Sequence, residues 1–370
     1  MNSKSEPGPA SENSRRDFFQ KIGTVAAASS VAAIANAQQQ PAPGAAAPGR
    51  GGRGPRENPA VREPGPLSKQ PMPTVRFGKF EIGRLVMGVN GPGAHFSVKE
   101  GMDARAYLTP EKIAEENKHM QELGINCMEA GFRFGQYAEQ TGTNMMWSAR
   151  GSAKTGKENE SRPWQHPKEI LNRSAVKPIS IHHQGAGDNG TDAWWRQGKL
   201  SAVREYCKMI RDTGVLVAVT SHRPEVFMEI ESQGWDVDYY MTCLYKYGRT
   251  HSEWLKAFKS NPEMLPVEIG YPTEGGTELY GGEIAFVQGD PPEMLKVVKQ
   301  CKKPCWVYKL LASTRLTQRE DIVEDRFKYI MANIKSTDAV VVGMWGKYSD
   351  EFALNKEYVI KYGGTSIKAS

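Results

Sequence analysis

Short apolar segments alternate with longer amphipathic segments along the chain from about residue 74 onward. The short runs are rich in β-branched residues, which is typical of buried strands, and the longer stretches repeat apolar residues three or four positions apart, as helices do. The predicted strands are Arg84–Val89, Asn126–Gly131, Asn144–Ala149, Pro178–His183, Val215–Ser221, Asp238–Leu244, Pro304–Leu310 and Ala339–Met344. The helices predicted between them include Thr109–Leu123, Lys199–Thr213, Pro224–Gln233 and Arg319–Ile334.

This order of elements predicts an α/β fold, a (β/α)8 TIM barrel over residues 74–370. A doubly wound open sheet is the alternative. Its first strand–helix turn normally carries GxGxxG, whereas this chain has Gly88-Val-Asn-Gly-Pro-Gly93 there. Residues 249–292 are too long for a simple connection, so we expect them to form a loop excursion over the mouth of the barrel.

The N-terminal region predicts export. Residues 1–37 have the features of a twin-arginine signal peptide: Ser14-Arg15-Arg16-Asp17-Phe18, then an uncharged run, then Ala35-Asn36-Ala37. Residues 38–73 are rich in Pro, Gly, Ala and Arg and have almost no large apolar side chains, which predicts a disordered linker. We therefore expect the chain to engage the twin-arginine translocase and to reach the periplasm, or to be secreted, already folded. That route favours a protein that carries a cofactor.

The composition narrows the class of protein. Of 370 residues, 39% are hydrophobic and 24% are charged, and the net charge is +6. The only long uncharged stretch belongs to the predicted signal, so no integral membrane span is predicted in the mature chain. No concentrated basic stripe is present in the folded part, so no nucleic-acid partner is predicted. Of the five cysteines, Cys301 and Cys305 flank a Lys-Lys-Pro bend and could pair in an oxidising compartment.

Polar and titratable side chains cluster at the predicted strand ends, where TIM barrels carry their chemistry. They are Asn90, His95, Glu129, Arg133, Arg150, His182, His183, His222, Tyr245, Lys309, Trp345 and Lys347. A carboxylate with imidazoles suits proton transfer. The same residue types suit a divalent metal, zinc or manganese, and the candidate ligands are then Glu129, His182, His183 and His222. Arg315 and Lys347 follow the last two strands, where such barrels commonly bind phosphate.

Five segments, in order, match the motifs of a known superfamily. They are Val75-Arg-Phe-Gly-Lys-Phe-Glu-Ile-Gly-Arg-Leu-Val-Met-Gly88, Leu123-Gly-Ile-Asn-Cys-Met-Glu129, Ala218-Val-Thr-Ser-His-Arg-Pro-Glu225, Val307-Tyr-Lys-Leu-Leu-Ala312 and Asp338-Ala-Val-Val-Val-Gly343. Their order and spacing resemble the aldo-keto reductase superfamily, in a divergent branch. The resemblance implies a TIM barrel with a short hairpin before the first strand, an oxidoreductase activity, and the cofactor NADP(H).

The resemblance also implies a catalytic set. The family's Asp, Lys and His positions hold Glu129, Arg150 and His182, and its Tyr position holds Phe134, which has no proton to give. Tyr137 or an imidazolium at His182 could supply the missing acid.

For the cofactor, the resemblance implies contacts to the nicotinamide and to the phosphates. The residues at these positions are Thr220 and Ser221 for the amide, Tyr308 for ring stacking, and Arg315 and Lys347 for the phosphates. Met241 stands where the family has a glutamine, and its side chain makes no comparable hydrogen bond.

Three functions therefore remain open. The first is an exported oxidoreductase that acts on a carbonyl or sugar-like small molecule with a degenerate catalytic set. The second is a cofactor-free barrel that performs metal-assisted or acid–base chemistry on a carbohydrate, as an isomerase, lyase or hydrolase. The third is a non-catalytic binding barrel.

Overall fold

The structure is a computed structural model. It describes residues 68–88, 103–104, 106–129, 145–156, 164–174, 176–261, 263–265, 267, 279–280, 283–284, 286–317 and 319–364. The predicted signal peptide and nearly all of the predicted linker lie outside these residues. Among the residues described, no helix has the length and apolar character needed to cross a membrane.

A closed barrel of eight parallel strands forms the centre of the fold, as the sequence predicted. Its strands are β3 (Leu85–Met87), β4 (Cys127–Glu129), β5 (Met146–Gly151), β6 (Ser180–His183), β7 (Leu216–Ser221), β8 (Tyr239–Cys243), β11 (Cys305–Tyr308) and β12 (Ala339–Val342). They neighbour one another in this order, and β12 pairs with β3 to close the ring. Each of the eight predicted strands overlaps one of these, which confirms the (β/α)8 TIM barrel.

Helices cover the outside of the ring. Within the described residues they are α1 (Pro110–Glu122), α2 (Pro167–Asn172), α3 (Thr191–Arg196), α4 (Ser201–Arg211), α5 (Pro224–Ser232), α6 (His251–Ser260), α7 (Asp290–Gln300), α8 (Glu320–Met331) and α9 (Glu351–Gly363). The start of α1 shows why the predicted boundaries hold. The Thr109 side chain accepts a hydrogen bond from the Lys112 amide, and Pro110 takes the first helical position, where no partner for its nitrogen is needed.

A two-stranded hairpin closes the N-terminal end of the barrel. Its strands are β1 (Thr74–Phe77) and β2 (Phe80–Gly83), which pair antiparallel immediately before β3. Phe77 enters the ring and meets Tyr239 edge-on at 5.2 Å and Trp306 at 5.7 Å between ring centroids. This end of the barrel is therefore filled by apolar side chains, and it leaves the opposite end as the place for polar groups.

The predicted excursion at 249–292 holds helix α6 and a small hairpin, β9 (Leu279–Tyr280) and β10 (Glu283–Ile284). Much of the rest of it lies outside the described residues. At its C-terminal end the Phe286 ring packs on Tyr245 and Tyr247, which follow β8. The excursion therefore contributes an aromatic side chain beside the C-terminal end of the barrel.

All five cysteines lie within the described residues, and all are buried and unpaired. Cys301 and Cys305 are therefore free thiols in this structure.

Candidate functional site

Three charged or titratable side chains from three adjacent strands meet inside the C-terminal mouth of the barrel. Glu129 ends β4, Arg150 lies near the end of β5, and His182 lies on β6 directly opposite Arg150. Arg150 Nη2 donates to Glu129 Oε1 at 2.7 Å, and His182 Nε2 lies 3.4 Å from the same oxygen. The sequence-predicted acid, guanidinium and imidazole are thus brought together around one carboxylate oxygen.

Below this group a chain of hydroxyls continues toward the barrel floor. His182 Nδ1 and Ser148 Oγ are 2.9 Å apart, Ser148 Oγ and Tyr239 Oη are 2.9 Å apart, and Tyr239 Oη and Ser180 Oγ are 2.7 Å apart. Both ring nitrogens of His182 are therefore engaged, and the ring is fixed in place. Sequence reasoning missed Ser148 and Tyr239. Ser148 lies two residues before Arg150 on β5, and Tyr239 lies two residues before Met241 on β8, so each of them shares the inner face with that residue.

The charges around Glu129 set its protonation state. Burial raises the pKa of this carboxyl, but the Arg150 guanidinium and the hydrogen bond from His182 outweigh burial and hold the pKa well below its usual range. Glu129 is therefore a carboxylate at every physiological pH. A ligand oxygen that engaged Arg150 would withdraw part of this stabilisation and make the carboxylate more basic.

A second group lies on the other side of the mouth, around His222, directly after β7. His222 Nδ1 is 2.6 Å from Asp192 Oδ2, and the other oxygen of Asp192 accepts from Ser221 Oγ at 2.6 Å. Burial opposes a charge on the imidazole, but Cys243 and Asp192 more than offset it, and the pKa of His222 rises to about 9. His222 is therefore an imidazolium near neutral pH.

The protonation state of His222 determines which way Tyr308 can donate. His222 Nε2 and Tyr308 Oη are 3.1 Å apart. An imidazolium has a proton on each nitrogen, so Nε2 donates to Tyr308 and the phenolic proton is directed elsewhere. Burial, with Cys243 next in size, raises the pKa of Tyr308 well above its ordinary value, so the phenol keeps its proton. Tyr308 is thus arranged as a proton donor.

Lys309 completes this side of the mouth. Its Nζ donates to Tyr247 Oη at 2.5 Å and to Ser313 Oγ at 3.1 Å. The Tyr247 ring in turn stacks on His222, with centroids 4.4 Å apart and an angle of 6° between the planes. Asp192 and Tyr247 were both missed from sequence, because they lie on a helix and a loop beyond the strand ends.

The two groups share one mouth. Glu129 is the main cause of the raised pKa of Arg150, and Tyr308 adds a smaller effect. Burial is the main cause of the lowered pKa of Lys309, and the Arg150 charge adds a smaller effect. Arg150, Tyr308 and Lys309 therefore lie within electrostatic range of one another. Arg150, Tyr308 and Lys309 are partly exposed, whereas Glu129 and His222 are buried behind them. A ligand would therefore meet two cations and a phenol first.

His183 does not join the site, contrary to the predicted four-ligand metal set. Neighbouring residues on a strand point to opposite faces, so His183 points out of the barrel toward its helices. Its Nδ1 lies 2.8 Å from Thr191 Oγ1, its Nε2 accepts from the Ala153 amide, and burial lowers its pKa to about 3. In the part of the chain that the structure describes, no group of three or more His, Cys, Asp or Glu side chains is placed to hold a metal.

Only some of the residues predicted to bind a nicotinamide cofactor have side chains that are available to a ligand. Thr220 faces inward, and its buried hydroxyl has no hydrogen-bond partner among the described residues. Ser221 points the other way and binds Asp192. Arg315 is buried, donates to the carbonyls of residues 312 and 313, and lies over the Phe286 ring at 4.0 Å. Lys347 forms an ion pair with Asp103. The two phosphate-binding candidates are therefore already engaged by protein groups.

Several predicted positions lie outside the described residues. They are Asn90, His95, Arg133, Phe134 and Tyr137.

Several solved structures align with most of this chain, at low identity and low TM-score. A truncated 3-deoxy-D-arabino-heptulosonate 7-phosphate synthase from Thermotoga maritima aligns at 14% identity and a TM-score of 0.38, over 79% of this chain and 91% of that one. An archaeal fructose-1,6-bisphosphate aldolase aligns at 11% identity and a TM-score of 0.44, over 76% of this chain and 94% of that one. The N-acetylmannosamine-6-phosphate 2-epimerase of Clostridium perfringens aligns at 12% identity and a TM-score of 0.38, over 74% of this chain and 91% of that one. No family model and no curated protein matches the sequence. At these values the alignments carry no functional argument, and the fold rests on the strand pairing itself.

Proposed function

We propose that the chain catalyses acid–base proton transfer on a hydroxylated carbonyl compound, as a carbohydrate-type isomerase or lyase. One observation carries the proposal. A carboxylate that is shared by a guanidinium and an imidazole lies in the same barrel mouth as a tyrosine whose proton is directed away from a charged histidine. Near neutral pH the carboxylate is ionised and can accept a proton, and the phenol is protonated and can donate one, as acid–base chemistry requires.

Each of these residues has a separate role in the proposed reaction. Arg150 binds the carbonyl or hydroxyl oxygen of the substrate. Glu129, made more basic as Arg150 turns to that oxygen, removes the proton from the neighbouring carbon. Tyr308 donates a proton to the oxygen where negative charge develops. His182 is a positioning residue, because both its ring nitrogens are engaged by Glu129 and Ser148.

The lining of the mouth supports an oxygen-rich substrate. Thr220 offers a buried hydroxyl without a described partner, and such groups are costly unless a ligand or water satisfies them. Arg150 and Lys309 add two cationic donors, and Tyr247 adds an aromatic wall. A small polyhydroxylated aldehyde or ketone would satisfy all of these groups.

A nicotinamide-dependent reductase is the second candidate. It is favoured by the contact of Glu129, Arg150 and His182, which occupy three of the four positions implied by the resemblance to aldo-keto reductases. NADP(H) bound here would supply hydride to a carbonyl carbon, and Tyr308 would face its nicotinamide ring. Arg315 and Lys347 would then have to exchange their present partners for phosphates.

A metal-assisted reaction receives less support. Of the predicted ligands, His183 points out of the barrel and His222 is bonded at both nitrogens, so the residues present do not fit a zinc or manganese ion. We derive no step through a metal. Export by the twin-arginine translocase, to the periplasm or the exterior, stays a prediction from residues 1–37.

Nuclear magnetic resonance in D2O separates these functions. The purified protein is incubated with a panel of aldoses, ketoses and their acids, with and without NADPH. Exchange of a carbon-bound proton or conversion to an isomer without NADPH supports the proposal, and consumption of NADPH supports the reductase. Saturable binding of a compound without either reaction would contradict both enzymatic functions and would support a non-catalytic binding protein.

A further inference from the structure

Lys309 is a nucleophilic group that the proposed proton transfer does not use. It follows directly after Tyr308 at the end of β11, and its side chain is partly exposed at the mouth. The ammonium lies 4.8 Å from the centroid of the Tyr247 ring and 5.4 Å from that of Phe286. Lys309 therefore lies beside two aromatic rings at the mouth, within electrostatic range of Arg150.

The partners of Lys309 differ from those of two other partly buried lysines, Lys246 and Lys335. Within the described part of the chain, the Lys309 ammonium donates to the hydroxyls of Tyr247 and Ser313, and neither of these carries a negative charge. By contrast, Lys246 is held by Glu225 and Lys335 by Asp338. An ammonium without a carboxylate partner loses less electrostatic stabilisation when it gives up its proton.

Burial and two neighbouring guanidinium groups lower the pKa of Lys309. Burial contributes most, Cys243 opposes it, and Arg315 and Arg150 add to it, so that the pKa of Lys309 falls to about 8. A desolvated amine beside other cations is the environment in which lysine acts as a nucleophile.

The backbone at Lys309 is also unusual. Lys309 has φ 65°, and the consecutive residues Ala312, Ser313 and Thr314 have φ 49°, 49° and 73°. Left-handed conformations are costly for residues with a Cβ and concentrate at functional sites. This turn brings the Ser313 hydroxyl back to the Lys309 ammonium. The surrounding structure therefore holds a costly backbone conformation at this amine.

We propose that Lys309 captures the carbonyl group of the substrate as a Schiff base. The Lys309 ammonium and the carbonyl group give a protonated Schiff base and one molecule of water. The new bond joins Nζ to the carbonyl carbon, the carbon–oxygen bond breaks, and two ammonium protons leave with the oxygen. Tyr247 Oη, at 2.5 Å from Nζ, relays these protons. No electrons are transferred and no further reactant is needed.

This inference rests on the proposed function and deepens it. A protonated Schiff base withdraws electrons from the neighbouring carbon, so a carbon-bound proton there becomes more acidic. Glu129 would remove that proton from the covalent adduct rather than from the free carbonyl compound. Because the carbonyl oxygen has left as water, Arg150 and Tyr308 would then act on a hydroxyl oxygen of the substrate. The substrate class narrows to aldehydes and ketones, and esters, acetals and glycosides are excluded.

Reductive trapping tests the proposal. The full-length protein is incubated with glyceraldehyde and sodium cyanoborohydride, whose hydride converts a Schiff base to a stable secondary amine. Labelled lysines are then identified by mass spectrometry of peptides. We expect the wild-type protein to be labelled at Lys309 at least about tenfold faster than at Lys208, an exposed lysine on α4. This comparison is made within one protein and needs no variant.

Variants then test the assignment and separate it from the proposed function. Lys309→Met and Lys309→Arg keep a Cβ at the strained position, and both should lose the rapid labelling while far-ultraviolet circular dichroism confirms the fold. Lys208→Met should label at Lys309 as fast as the wild type. The Glu129→Gln variant should still be labelled at Lys309, even though it fails to exchange the carbon-bound proton of the substrate. Equal labelling of Lys309 and Lys208 in the wild type, or proton exchange that persists in Lys309→Met, would overturn the Schiff-base proposal and leave the acid–base function standing.

Discussion

The two ends of the barrel are built from the same eight strands but from different chemistry. At the N-terminal end, inward side chains such as Val86, Trp306 and Val341 pack with Phe77 and Ile82 of the hairpin into a buried apolar cluster. At the C-terminal end, the same inward positions carry charged and hydroxyl-bearing groups. Along each strand every second side chain points into the barrel, from one end to the other. The inward side chains are apolar at the N-terminal end and polar at the C-terminal end, and this difference corresponds to two different roles. One end stabilises the ring and the other presents reactive groups.

Tyr239 stands at the boundary between these ends. Its ring packs against Phe77 and Trp306, while its hydroxyl bonds Ser148 and Ser180. The reactive end is therefore supported from below by a rigid aromatic layer. Such support is what holds a catalytic group within a small range of positions.

The largest expected effect compares two residues on one strand. Trp306 is fully buried at the apolar end, and Tyr308, two residues later, lies at the mouth. Trp306→Ala should lower the free energy of unfolding by about 3–5 kcal/mol, because it removes a large buried ring. Tyr308→Phe should impair catalysis but lower the free energy of unfolding by only about 1–3 kcal/mol, because it removes one hydroxyl and leaves the His222 Nε2–H without its acceptor. Urea unfolding followed by fluorescence measures both, and equal losses would contradict the division between the ends.

Part of the pH dependence of stability should come from His222 in the mouth. The pKa of His222 is about 9 in the folded protein, above its ordinary value of 6.5. The resulting stabilisation is fully present below pH 6.5 and is lost as the pH rises through 9, on the order of 3 kcal/mol in all. Unfolding free energies from pH 6 to pH 10 measure it. The pKa of Lys309, about 8 against an ordinary 10.5, acts in the opposite direction over this range. The contribution of His222 is therefore the difference in unfolding free energy between the wild type and His222→Gln. This difference should fall by about 3 kcal/mol between pH 6 and pH 10, and a difference that did not change with pH would contradict the raised pKa of His222.

A smaller effect on stability is expected at Glu129. Glu129→Gln keeps the shape but removes the charge that Arg150 faces, so the unfolding free energy should fall by about 2 kcal/mol. Combined with Arg150→Gln, the loss should be smaller than the sum of the single losses, because the partner charge is gone as well. Additive losses in this cycle would show that the two side chains do not stabilise each other.

The fold was largely predictable because its signals are local. The apolar runs around Ile181 and Val219, for example, are bounded by polar turns, and each became a barrel strand. The helix boundary at Thr109 and Pro110 follows from backbone chemistry alone.

The site was predictable only in part. Glu129, Arg150 and His182 share the inner face, and their positions at strand ends indicated that they would meet. The prediction for His183 was wrong because it ignored the alternation of side chains, which sends it to the opposite face from His182. Asp192 and Tyr247 were not predicted, since only the folded chain brings a helix start and a loop against His222.

Replacement of the carboxylate tests the central claim most directly. Once a compound from the panel undergoes exchange, its rate in D2O is compared between the wild type and Glu129→Gln, with the folded state of both verified. We predict that the variant loses at least about 100-fold in rate, which is the usual contribution of a general base. Exchange at the wild-type rate in folded Glu129→Gln would contradict the claim that this mouth performs proton transfer through Glu129.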